Sequence, residues 1–117
     1  MTMMAQIDDF NAALLQSIDE GISALLGQEV LDSIYLNLRN KRSINRDEIP
    51  DHTPILVVVL EKYFGPSAQT IGRGIARRLY SKLGVNFVVM EGFQLADYIN
   101  VVRERYADAS SKAVRTQ

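Results

Sequence analysis

The chain of 117 residues has no cysteine, a single histidine and no apolar run longer than six residues, and each shortage removes a class of chemistry. Without thiols there is no disulfide, no thiolate metal site and no cysteine nucleophile, which is compatible with any compartment. His52 stands beside Asp51 with no second histidine and no nucleophile elbow nearby, so it reads as a surface residue at a helix start, not half of an acid–base pair. The longest apolar run, Ile55 to Leu60, is far below the ~20 residues that span a bilayer. The start, MTMMAQIDDF, lacks the basic opening and long apolar core of a signal peptide, so a cytoplasmic protein with no membrane partner is expected. Asp47, Glu48 and Asp51 lack the glycine turn and alternation of a calcium loop and read as a solvated connector. No strand precedes Gly72-Arg73-Gly74, which argues against a phosphate-binding glycine loop. No metal, no cofactor and no catalytic residue is expected.

What is present is helix punctuation. Thr53-Pro54 reads as an N-cap followed by a first-turn proline, whose missing N–H would be unpaired there in any case. The helix is expected to run to Tyr63 and Phe64, with Gly65 as its left-handed exit and Pro66 preventing continuation. After this short corner, Ala68, Ile71, Ile75, Leu79 and Leu83 form one stripe closed by Gly84. Upstream, Ile7, Phe10, Leu14, Ile18, Ile22 and Leu25 predict an amphipathic helix from Asp8 or Asp9 to Leu26, ended by Gly27. A second helix, Gln28 to about Asn40, carries Val30 or Leu31, Ile34, Tyr35 and Leu38 and finishes in Arg39, Lys41 and Arg42, which suit its C-terminal carbonyls. Residues 43–51 read as a polar connector pinned by Ile44 and Ile49, with Pro50 biasing Ile49 toward an extended conformation. Val85 to Met90 is β-branched and reads as a short strand or an extended connector, broken at Glu91-Gly92. A last helix from about Phe93 to Tyr106 shows Leu95, Ile99, Val102 and Tyr106 as a narrow seam suited to one partner helix. The expected fold is all-α: about five helices in a compact bundle, a single domain over 1–106, at most a short extended segment near 85–90, and a frayed tail over 107–117.

Net charge is −1, but residues 1–66 hold five basic against ten acidic residues and residues 67–117 eight against four. Arg73, Arg77, Arg78 and Lys82 on the fourth helix are the candidate anion or nucleic-acid face; the plainer reading is a solvated helix face rich in cations. Gly72 and Gly74 sit inside that helix, where glycine costs about 1 kcal/mol relative to alanine, so close approach of another helix is expected there. Tyr63, Phe64, Tyr80, Phe87, Phe93 and Tyr98 read as core anchors. Ile55 to Leu60 covers the whole circumference of its helix, which must be central in the bundle or covered by a second protomer. A homodimer is expected through that run or through the seam Leu95, Ile99, Val102 and Tyr106.

Leu26-Gly27, Ile34-Tyr35, Glu48-Ile49-Pro50, Phe64-Gly65, Ala68, Ile71, Leu79-Tyr80 and Lys82-Leu83-Gly84 occur in an order that resembles the small archaeal output domain first named in Nitrosopumilus, the fifth type of that scheme. The resemblance spans roughly residues 10–87. It implies a helical output or interaction module with no assigned reaction, sometimes attached to a sensor region. This sequence shows no such region, and Ile55 to Leu60 is more continuously apolar than the family pattern, so a signal would arrive on another molecule. The expected function is a non-enzymatic interaction or signalling-output module, partnered with itself and with another protein; the alternative is a nucleic-acid-associated regulator using the basic helix.

Overall fold

The computed structural model describes the backbone from Thr2 to Arg115 and the side chains from Asp9 to Ala107. Five α-helices, α1 (Thr2–Leu26), α2 (Gln28–Arg42), α3 (Thr53–Phe64), α4 (Ala68–Lys82) and α5 (Leu95–Arg115), form an all-α bundle with no strand among the described residues. The 3.6-residue periodicity of the apolar positions builds it. Phe10, Leu14, Ile18 and Ile22 on α1 meet Leu31, Ile34 and Leu38 on α2 and Ile71, Ile75 and Leu79 on α4, all buried. α1 packs chiefly on α4 and α2, while α3 touches α2, α4 and α5. That central position accounts for the all-round apolar run: Leu56, Val57, Val59 and Leu60 are buried, Ile55 is half-buried, and only Val58 is open.

Local structure departs from expectation where two signals compete. Thr53 is the first helical residue, buried, and His52 occupies the cap position with no side-chain cap bond, so Thr53 is not the N-cap. Residues Arg46–Asp51 form a 3-10 turn instead of an extended connector. A reciprocal capping box between Asn45 and Glu48 outweighs the preference that Pro50 imposes on Ile49, while Ile44 and Ile49 pin the turn to the core as expected. Gly65 has φ 56 and ψ −132, a positive-φ conformation outside the left-handed helical basin, cheap only for glycine, and a 3-10 turn Gly65–Ser67 leads into α4. α5 begins at Leu95, two residues after Phe93, because the Gln94 N–H donates to Asp97 Oδ2 at 2.9 Å and sets the first turn there. Its backbone continues helical past Tyr106 to Arg115.

Between Gly84 (φ 70) and Gly92 (φ 82), residues 85–90 have negative φ throughout and neither helix, turn nor bend. This is the extended connector, not a paired strand. It lies over an aromatic cluster: Tyr80 and Phe87 meet edge to face at 5.2 Å, and Phe87 and Phe93 each stand 5.1 Å from Tyr98.

Candidate functional site

Where the four cations of α4 fall decides how the nucleic-acid face stands. Arg78 and Lys82 both reach Glu20 on α1, at 3.7 and 3.0 Å. The Arg77 guanidinium lies 5.1 Å over the Phe87 ring, a stacked contact that holds it against the protein. Arg73 is half-buried, and its Nε is enclosed without a hydrogen-bond partner. An open groove lined by Gly21, Leu25, Gly74 and Ser81 runs between Glu20 and the Arg77, Arg78 and Lys82 side. The helix therefore presents cations already engaged by a carboxylate and a ring, not a free row aimed at phosphates.

The candidate dimer seam is corrected by burial. Leu95, Ile99 and Val102 are enclosed by their own protomer, Ile99 and Val102 completely, and Tyr106 is half-buried against Phe10 at 5.8 Å. The seam does meet partner helices, but they are α3 and α4 of the same chain. Neither it nor Ile55 to Leu60 is available for docking. Of the aromatic anchors, Tyr80 and Tyr98 are core, Phe64, Phe87 and Phe93 are half-buried, and Tyr63 is exposed, its hydroxyl donating to the Ser33 carbonyl at 3.1 Å.

The glycines divide likewise. A Cβ on Gly72 would lie 3.3 Å from Leu95 Cβ, the expected close approach, whereas one on Gly74 would meet nothing. The tightest approach is at Gly21, which sequence reasoning passed over although a glycine inside an apolar helix carries the same signal.

His52 and the carboxylates Asp47, Glu48 and Asp51 are exposed. Among the described residues no group of three or more potential ligands is placed to hold a metal, and no helix is long and apolar enough to cross a membrane.

Two polar constructions were not foreseen. The first joins α1, α2 and the 3-10 turn: the Tyr35 hydroxyl donates to Asp19, and Arg46 pairs with the same carboxylate at 2.6 Å while lying 6.0 Å over the Tyr35 ring. Burial first, then the hydrogen bond to Asp19, pushes the Tyr35 hydroxyl well above its ordinary pKa. Burial likewise raises Tyr80. The second fastens the extended connector: Tyr80 donates to the Tyr98 carbonyl at 2.8 Å, and the Tyr98 hydroxyl accepts the Met90 N–H at 2.9 Å and donates to the Met90 carbonyl at 3.3 Å. Beside it, a cavity of about 210 Å³ is lined by Tyr80, Asn86, Val88, Met90, Phe93, Tyr98, Val101 and Arg105.

This connector carries the exposed apolar side chains Val88, Val89 and Met90, at 64%, 49% and 46% exposure. Three such residues in succession, held in place by a buried tyrosine, are the feature of the described surface that most needs a function. Their β-branched run is visible in the sequence; their exposure follows from Val85 and Phe87 being the residues of the segment that turn inward. Comparison of the chain with protein-family models, with curated proteins and with solved structures returns no match.

Proposed function

We propose that this chain is a non-enzymatic protein-interaction or signalling-output module that works as a homodimer and binds a further protein. The observation that carries this reading is the exposed apolar run Val88, Val89 and Met90, fastened by Tyr98 instead of being left to collapse onto the core. Apolar side chains presented on a held backbone serve recognition of another polypeptide. The engagement of Arg78 and Lys82 by Glu20, and of Arg77 by Phe87, weighs against the rival reading of a nucleic-acid regulator. Kinship with the archaeal output domain belongs to the same proposal, supported by the residue order between Leu26 and Gly84, and a cytoplasmic location is proposed with it.

The test is equilibrium binding to duplex DNA across a salt series, with the parent chain and with Arg73, Arg77, Arg78 and Lys82 changed to glutamine. The interaction module binds DNA no more tightly than the generic ~10⁻⁴ M non-specific level at physiological salt. Tight binding that falls steeply with salt and is abolished by the glutamine changes would overturn the proposal.

A further inference from the structure

Residues 86–89 combine two properties not found together elsewhere on the described surface. Their side chains include exposed Val88 and Val89, and none of their backbone N–H groups donates to a group of the protein among the described residues. The other exposed apolar residues, Leu25, Leu26, Leu36, Val58 and Tyr63, lie on helices whose backbone groups are already paired.

In an extended chain, the N–H and C=O of successive residues point to opposite edges. Met90 turns both of its groups to Tyr98 on α5. By the same alternation Asn86 and Val88, which line the cavity beside α5, belong to the Met90 edge. Phe87 and Val89 then direct their N–H and C=O groups away from α5, forming a short open edge that recognises another extended strand.

From this edge we infer that the segment pairs with the same segment of a second copy, antiparallel about a two-fold axis. Residues 85–90 hold no charge and no proline, and Val85, Val88 and Val89 are β-branched, so the segment can serve as both edge and guest. Phe87 exchanges hydrogen bonds with Val89 of the second copy, Val89 does so with Phe87, and Val88 faces its own copy at the axis in a close non-hydrogen-bonded pair. Charge points to the same occupant. Arg105 lines the cavity together with Asn86 and Val88, Glu91 follows Met90, and neither is in an ion pair among the described residues. Antiparallel pairing in this register sets each Glu91 opposite Val85 of the other copy, next to the Asn86 that shares its cavity with Arg105. Lys82, already paired with Glu20, is not needed for this match.

This inference rests on the interaction-module reading and is tested by light scattering and sedimentation of the full chain at concentrations up to about 1 mM. The parent chain dimerises with rising concentration. Val88→Lys, which sets two cations face to face at the axis, raises Kd about tenfold or more, while helix content by circular dichroism is unchanged because Val88 is exposed. Glu91→Arg and Arg105→Glu each weaken the dimer, and the double variant restores it. A parent chain that stays monomeric, or a dimer indifferent to Val88→Lys and to the charge swap, overturns the inference. A monomer that also fails to bind DNA removes the strand pairing and the homodimer with it, and leaves standing only the reading as a module that binds a further protein.

Discussion

Gly21 on α1 faces Ile75 on α4 so closely that a Cβ on the glycine would stand 2.8 Å from Ile75 Cγ1 and 3.5 Å from its Cα. Ile75 is fully buried and has no room to retreat. Gly21→Ala is expected to cost about 1–3 kcal/mol through overpacking, despite the better helix propensity of alanine. Gly74→Ala, into open space, should instead gain about 0.5–1 kcal/mol. Thermal unfolding of the two variants checks the opposite signs.

Ile99→Ala separates a core position from a docking position. The side chain is completely buried within the protomer, so truncation should destabilise by about 2–5 kcal/mol. Chemical denaturation reads the loss. If Ile99 served a dimer face, stability would hold and only the association constant would change.

Tyr98→Phe removes the hydroxyl that accepts from and donates to Met90. The expected loss is about 0.5–1.5 kcal/mol. Amide hydrogen exchange should quicken at Met90 and Phe93, whose N–H donates to the Met90 carbonyl, while the α1 amides keep their protection.

Alkaline stability follows from Tyr35. Its hydroxyl is held protonated in the folded state by burial and by Asp19, so its folded pKa lies above the unfolded value of about 10. The stabilisation is complete below about pH 10 and is lost as pH rises toward the folded value, because only the unfolded chain then releases the proton. Tyr80, raised by burial, has the same sign. Denaturant midpoints should be flat from neutral pH to about pH 10 and fall beyond it, with a shallower fall in Tyr35→Phe.

Glu20→Gln tests the masking of the basic helix. Its pairs with Arg78 and Lys82 are largely solvent-exposed, so stability should change by no more than about 1 kcal/mol. Retention on a polyanion resin at low salt should increase, because two cations lose their carboxylate.

The bundle was legible because Phe10, Leu14, Ile18 and Ile22, and likewise Ile71, Ile75 and Leu79, repeat at helical spacing; the one polar side chain buried on the α1 face, Ser17, satisfies its hydroxyl on the Ala13 carbonyl of its own helix. Periodicity states that a face is covered, not by what, and Leu95, Ile99 and Val102 were therefore given to a second protomer when α3 and α4 of the same chain take them. Glu20 and Arg78 are remote in sequence, and no local rule joins them. Thr53 and Pro50 misled for a different reason: each carries a true local preference, overridden by burial of the threonine and by the Asn45–Glu48 capping box. For Val85 to Met90 the β-branched pattern leaves a short strand and an extended connector equally open; the connector forms, and the edge that it leaves open depends on a single hydroxyl from Tyr98.

Arg103 on α5 donates to the Pro50 carbonyl at 2.7 Å and lies 5.3 Å over the Phe10 ring, while Tyr106 flanks that ring from the same helix. During synthesis Phe10 emerges early and these neighbours emerge late. The apolar face of α1 can rest on α2 and then α4 as they appear, but its Phe10 end stays open until α5 has left the ribosome. Contacts of such long sequence separation come at a high entropic cost and form last. Until then the nascent chain carries an unfinished core, the interval in which chaperone binding would matter most.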